Sequence, residues 1–249
     1  FTVANDGSGD FRLPSEALNY ISSIPNINTS SNDTQSYIVR ILPGIYNETE
    51  TLNISPNIAV IGESKINTII NFSTNDVNFI ALSSYNEIAN LTINNNSIIG
   101  IPNNNYNFII TTFNCQNTYI HDLLINDFTD NLGNVGFFSI ICDNVLLENI
   151  SLKLGTTSPY NIFNYGIALF ESNITINNMS ILCGGGIDSN YGIYTEENIY
   201  TQSNLILNNC DITCINNNSN YGISHNYGNL YLEMNGGSIN ANTYNIVFD

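Results

Sequence analysis

The chain has 249 residues, 43% of them hydrophobic and only 10% charged, yet its formal net charge is −17. Only Arg12, Arg40, Lys65 and Lys153 are basic. This excludes nucleic acid as a partner and disfavours anionic membrane surfaces and polyuronates, because phosphate and carboxylate binding need clustered Lys and Arg. No apolar run approaches the ~20 residues of a membrane span.

In chain order, Asp6-Gly7-Ser8-Gly9-Asp10 reads as a tight entry turn. Residues 14–22 read as one short amphipathic helix, with Pro14 suited to a first turn and Ala17, Leu18 and Ile21 on one face. A polar Asn/Ser/Thr loop runs from Ile24 to Ser36, and strands and turns fill the rest. An asparagine-led motif then recurs as Asn105-Tyr106-Asn107, Asn134-Val135-Gly136, Asn164-Tyr165-Gly166, Asn190-Tyr191-Gly192 and Asn220-Tyr221-Gly222. It reads as a recurring turn, with apolar Phe108, Phe137, Ile167, Ile193 and Ile223 following. Its steps are 29, 30, 26 and 30 residues, one supersecondary unit per period.

Columns can be written on that period. Ile93, Ile120, Leu147, Ile176, Leu207 and Met234 form one, and Leu91, Thr118, Val145, Ile174, Leu205 and Leu232 lie two residues earlier, the spacing of a half-buried strand. Ile98, Ile125, Leu152, Ile181, Ile212 and Ile239 lie five later. Between them Asn95, Asp122, Asn149, Asn178, Asn209 and Gly236 suit the left-handed backbone of a sharp turn and can stack as a ladder. The next position reads Asn96, Leu123, Ile150, Met179, Cys210 and Gly237. A register held over six repeats argues for an all-β fold, a single parallel β-helix. Coils opening near Ile38, Ala59 and Phe79 make about nine in all. Residues 1–36 form the N-terminal strand, helix and loop, and 37–249 form the coils, all one domain, alone or as part of a longer chain.

Phe1-Thr2-Val3-Ala4-Asn5-Asp6-Gly7-Ser8-Gly9-Asp10-Phe11, with the helix at Ala17-Leu18, resembles the opening of pectin methylesterases. Ile41-Leu42-Pro43-Gly44-Ile45-Tyr46-Asn47-Glu48 and Ile58-Ala59-Val60-Ile61-Gly62-Glu63 resemble the segments that follow in that family. The match covers about the first 75 residues. It implies the pectin-lyase-like scaffold, a single right-handed parallel β-helix, with the helix at 14–22 as a cap over its N-terminal mouth. The family's catalytic Gly-Thr-[Val/Ile]-Asp-Phe-Ile-Phe-Gly and Leu-Gly-Arg-Pro-Trp segments have no counterpart here, and there is no Trp and no Arg after residue 40. Polygalacturonase segments and the catalytic Arg of pectate lyases are likewise missing. The reading is therefore a non-catalytic extracellular, cell-surface or virion-surface structural protein. The alternative is a carbohydrate-active enzyme or glycan-binding adhesin acting on neutral glycans.

The catalytic candidates are Glu171, Glu197 and His225: the glycine columns bring Glu171, Glu197 and Tyr227 to neighbouring coils, with Glu196 and His225 nearby. A glycosidase uses two carboxylates roughly 5–9.5 Å apart. His121-Asp122 reads as a turn hydrogen bond. No His/Cys spacing fits zinc, and no cofactor is expected. Cys115 with Cys142, and Cys183 with Cys214, share registers and are disulfide candidates; stacked reduced thiols are the alternative. Cys210 stands alone in an inward column. The tyrosine column Tyr106, Tyr165, Tyr191, Tyr221 and Tyr244 is either a register-setting stack or a sugar-stacking surface. Eleven N-x-[ST] sequons occur, and Asn28, Asn32, Asn47, Asn53, Asn71, Asn90, Asn173 and Asn217 are glycosylation candidates; Asn95, Asn149 and Asn178 fall at repeat turns. The last coil, Tyr244 to Asp249, is expected to be covered by self-association or by a partner or further domain, because an uncovered rung offers unpaired backbone groups.

Overall fold

The computed structural model describes residues 1–24, 36–73, 77–95, 106–127, 133–155, 163–185, 189–197, 202–215 and 219–248. Strand β1 (Thr2–Val3) and helix α1 (Pro14–Ser23) come first. The first turn of the solenoid is β2 (Tyr37–Ile41), β3 (Gly44–Glu48) and β4 (Leu52–Ile54), and the second is β5 (Ile58–Gly62), β6 (Thr68–Phe72) and β7 (Asn78–Leu82). Next come β8 (Glu87–Ala89), β9 (Thr92–Asn95) and β10 (Tyr106–Phe113), followed by β11 (Gln116–His121), β12 (Leu124–Asp127) and β13 (Gly133–Ile140). The fifth turn is β14 (Asp143–Glu148), β15 (Ser151–Leu154) and β16 (Phe163–Phe170); the sixth is β17 (Ile174–Asn177), β18 (Ser180–Gly184) and β19 (Ser189–Glu196). In the last two turns, β20 (Gln202–Ile215) and β22 (Asn229–Ala241) each run through two faces, completed by β21 (Ser219–His225) and β23 (Tyr244–Phe248).

All pairings are parallel and join each strand to its equivalent one turn away. The first face runs from β2 through β5, β8, β11, β14 and β17 into β20; the second from β3 through β6, β9, β12, β15 and β18 into β20; the third from β4 to β23. The fold is a parallel β-solenoid, as the repeat implied. Among the described residues it has eight turns rather than nine, because Phe79 lies in β7 and completes a turn instead of opening one.

The inward columns are apolar and buried. Ile88, Ile120, Leu147, Ile176 and Leu207 line one face; Ile93, Ile125, Leu152, Ile181 and Ile212 line the next. Each such side chain contributes about 1.5–3 kcal/mol when removed from water. In each column the register places the first member five residues earlier than the sequence spacing implies. Ile88, not Ile93, stacks on Ile120, and Ile93 belongs with Ile125. Asn90, not Asn95, opens the left-handed column, and Leu91, not Asn96, precedes Leu123. The step from Ile88 to Ile120 is 32 residues, whereas Ile93 lies 27 before Ile120 and mimics the following 27-residue step to Leu147. Asn96 and Ile98 lie outside the described residues.

The corner between the first two faces has the predicted conformation. Asn90, Asp122, Asn149, Asn178 and Asn209 have φ between 52° and 57°, and Gly236 has φ 79°. Asparagine and aspartate tolerate this region because their short side chains bond locally. Here they also bond along the solenoid: Asn149 donates to Asp122 at 3.3 Å, Asn178 to Asn149 at 3.2 Å and Asn209 to Asn178 at 3.4 Å. A second ladder, Asn126–Asn94–Asn71–Asn47, climbs the outside of the second face at 3.0, 2.9 and 3.1 Å. Two sequon candidates, Asn47 and Asn71, are members of this ladder. Asn173 is bonded to Asp143 and Asn204, and Asn53 is exposed. Asn28, Asn32 and Asn217 lie outside the described residues.

Helix α1 contacts β2, β3 and β4, one strand from each face of the first turn, and so closes the N-terminal mouth. Ala17, Leu18 and Ile21 face the core. The Ser15 amide donates to the buried Glu48 carboxyl at 3.0 Å, and burial pushes that carboxyl above its ordinary range. The entry turn is held by Asp6, which accepts from the Ser8 amide at 2.9 Å, and by Asp10, which accepts from the Thr2 amide at 2.8 Å. No helix among the described residues is long and apolar enough to cross a membrane.

Candidate functional site

The asparagine-led motif lies within the third-face strands, and each of its residues faces a different environment. Register aligns Asn107, Asn134, Asn164, Asn190 and Asn220, so the first copy is Asn107-Phe108-Ile109 rather than Asn105-Tyr106-Asn107. Asn105 lies outside the described residues. These asparagines are buried in the interior, where Asn164 donates to Asn190 at 3.0 Å and Asn190 to Asn220 at 2.9 Å. The glycines form a bend where no side chain fits. A Cβ on Gly192 would stand 2.2 Å from Ile212 Cγ2 and 2.6 Å from the Gly222 carbonyl oxygen.

The middle residue points outward. Tyr165, Tyr191, Tyr221 and Tyr244 stack with centroid separations of 4.8, 4.9 and 5.8 Å and interplanar angles of 6°, 8° and 19°. Two positions after each glycine is a second outward row: Phe138, Ala168, Tyr194 and Ser224. Beyond it, Phe170 pairs with Glu196. Ala168 is the small member between two large rings, and a groove of about 220 Å³ opens over it. Phe108, Phe138, Tyr165, Phe170 and Tyr194 wall this groove, with Phe138–Phe170 at 5.5 Å and Tyr165–Tyr194 at 5.5 Å.

One end of the groove is polar. The Tyr194 hydroxyl donates to Glu196 Oε2 at 2.7 Å and accepts from Asn226 Nδ2 at 3.1 Å. Burial, and then the Glu196 bond, push the Tyr194 hydroxyl up to about 12, so it stays protonated. None of the chain's four basic side chains lines the groove. The groove therefore offers ring faces, a hydroxyl and one carboxylate.

The sequence candidates for catalysis do not line this groove, although Glu171, Glu197 and Tyr227 do fall on successive rungs. Glu171 occupies a left-handed corner position with φ 49°. Glu197 is only 3% exposed; it accepts from Ser203 Oγ at 2.5 Å, and its Oε1 has no partner. Burial pushes its carboxyl up to about 7. His225 is buried and bonded through Nδ1 to Thr195 Oγ1 at 2.9 Å. Glu196, read only as a neighbour of the candidates, is the acid that reaches the groove. The aromatic row carried a signal, an outward residue two places after each corner glycine, but alternation alone does not say which side of a bent strand faces solvent.

His121 bonds Asp122 through Nδ1 at 2.8 Å, the expected turn contact, and Glu87 through Nε2 at 2.9 Å. Among the described residues no group of three or more His, Cys, Asp or Glu side chains is arranged to hold a metal.

No protein-family model matches the chain, and no curated protein matches its sequence. Solved structures do match its fold. Carrot pectin methylesterase is similar at a TM-score of 0.54 and 14% identity, over 99% of this chain and 87% of that one. The pectin methylesterase PemA of Erwinia chrysanthemi is similar at 0.52 and 14%, over 93% and 80%. YbhC of Escherichia coli is similar at 0.58 and 13%, over 100% and 70%. The chain thus has the pectin-lyase-like right-handed β-helix fold; at these identities the likeness concerns the fold alone.

Proposed function

We propose that the third face binds a neutral glycan, seating one sugar ring over Ala168 between Phe138 and Tyr194. The observation that carries this reading is the aromatic groove itself. Sugar rings present C–H faces that pack on aromatic rings, and Tyr194, Glu196 and Asn226 supply hydroxyl-directed hydrogen bonds at one end. Its volume is below the roughly 300–1,000 Å³ of a drug-sized cleft, which suits one ring at a time. The net charge of −17 and the carboxylate at the rim disfavour uronates. Among the groove-lining residues Glu196 is the single acid, so the carboxylate pair of a glycosidase is not assembled there. The similar folds include pectin methylesterases, whose name denotes action on a polysaccharide, and this supports a carbohydrate ligand. The role is recognition on an extracellular, cell or virion surface, without a catalytic residue assigned.

The test is calorimetric titration with neutral oligosaccharides chosen from a glycan array, alongside oligogalacturonates. Binding of a neutral glycan, weakened at least tenfold in both Phe138→Ala and Tyr194→Ala, supports the reading. No neutral ligand on the array, tighter binding of uronates, or indifference to both substitutions overturns it.

A further inference from the structure

Cys115 and Cys142 sit on adjacent rungs where the third face hands over to the first. Their neighbours set the register: Gln116 pairs with Asp143, whose amide donates to the Cys115 carbonyl at 2.9 Å. Parallel rungs lie ~4.8 Å apart, inside the Cα separation a disulfide spans. The Cys115 thiol donates to Cys142 Sγ at 3.1 Å.

Buried hydroxyls surround the pair. Thr118 Oγ1 donates to Cys115 Sγ at 3.6 Å, the Cys142 amide donates to Ser172 Oγ at 3.1 Å, and Ser139 Oγ lies 3.1 Å from Ser172 Oγ. Donation from Cys115 above all, with help from Thr112 and Ser139, holds the Cys142 thiol below its ordinary range; the same contact, with burial, pushes Cys115 up. The pair thus sets Cys115 as the proton donor in line with the Cys142 sulfur.

The other stacked pair is different. Cys183 faces Cys214 across the second-face rungs, but both thiols donate to main-chain carbonyls, of Tyr191 at 3.5 Å and Tyr221 at 3.2 Å, whereas in the first pair Cys142 does so, to Ile140 at 3.2 Å, and Cys115 donates to its partner sulfur. Contact with Cys214 and burial push the Cys183 thiol well up. Cys210 is buried apart, bonded to the Ile176 and Asn208 carbonyls.

We propose that Cys115 and Cys142 are a peroxide-sensitive dithiol that closes to an inter-rung disulfide, while Cys183 and Cys214 stay reduced. The Cys142 thiolate attacks one oxygen of hydrogen peroxide, breaking the O–O bond and expelling hydroxide; Cys142 becomes a sulfenic acid. The Cys115 sulfur then attacks the Cys142 sulfur, forming the S–S bond, and the sulfenic hydroxyl leaves with the Cys115 proton as water. The expelled hydroxide takes up the proton that Cys142 had released. Two thiols and one peroxide give one disulfide and two waters, and two electrons pass from sulfur to peroxide. Exposures of 4% for Cys115 and 2% for Cys142 exclude bulky oxidants and select a small uncharged one.

The full chain, reduced and freed of reductant, is titrated with hydrogen peroxide and mapped by mass spectrometry without reduction. The expected result is a loss of two hydrogens, a Cys115–Cys142 cross-link reversible by dithiothreitol, and alkylatable Cys183, Cys210 and Cys214 after unfolding. In Cys115→Ser, the Cys142 sulfenic acid is expected to be trapped by dimedone when the peroxide-treated chain is unfolded in its presence. A Cys183–Cys214 link forming first, over-oxidation of Cys142 with no link, or five intact thiols at an excess of peroxide overturns the proposal. The wild-type map decides the matter even if the variant fails to fold.

Discussion

Glu196 and Glu197 are consecutive in sequence and occupy opposite sides of the solenoid wall. Glu196 meets the Tyr194 hydroxyl at the groove rim, whereas Glu197 is buried with Ser203 as the donor to one oxygen and nothing on the other. Strand alternation separates the two carboxylates. It makes one a groove-lining group and the other a buried acid.

That buried acid makes stability depend on pH. The ordinary value for Glu197 is 4.5 and the folded value is about 7, so the folded chain binds this proton more tightly than the unfolded chain. Stability from this group is therefore present below pH 4.5 and declines as pH rises towards 7. Glu197→Gln is expected to be more stable than the parent above pH 7, by up to about 3 kcal/mol, and equal to it near pH 4. Denaturant unfolding at both pH values checks this; a gain of the same size at pH 4 would mean that the proton is not the cause.

Gly192→Ala should be severely destabilising. The added methyl meets Ile212 at 2.2 Å and the backbone of the next rung at 2.6 Å, so neither neighbour can yield cheaply. Overpacking of this kind costs about 3 kcal/mol or more. Gly184→Ala, where the nearest atom is the Ile215 carbonyl oxygen at 3.0 Å, should cost less. Urea midpoints for the two variants rank them.

The two kinds of asparagine ladder should respond differently. Asn190 is fully buried between Asn164 and Asn220, and Asn190→Ala removes both of these buried hydrogen bonds, at about 2–3 kcal/mol. Asn208 bonds Asn177 and Asn235 on the half-exposed outer side, where water replaces a lost partner. Asn208→Ala is expected to cost less than about 1 kcal/mol. Equal losses would show that burial is not what distinguishes the ladders.

Filling the groove should separate binding from folding. Ala168 forms its floor between Phe138 and Tyr194, and Ala168→Phe extends an aromatic row outward without touching the core. Glycan binding is expected to fall at least tenfold while the melting temperature moves little. Retained affinity in a folded Ala168→Phe chain would place the ligand elsewhere.

The solenoid, its cap helix and the left-handed corner were legible in the sequence because each depends on local chemistry repeated in phase. Ile120, Leu147, Ile176 and Leu207 recur at strand spacing, Asp122, Asn149, Asn178 and Asn209 supply the one polar residue class that tolerates the bend, and Ala17, Leu18 and Ile21 share one helical face. Phase itself was not fully legible. A connection of different length before β10 let Ile93 mimic the position of Ile88, and only the hydrogen-bonded register separates the two. The groove was hidden for a related reason. Phe138, Ala168 and Tyr194 lie 30 and 26 residues apart and become one surface only when the rungs stack. Which of Glu196 and Glu197 meets solvent was likewise decided by the bend at Gly192, where inward and outward positions change places and simple alternation no longer holds.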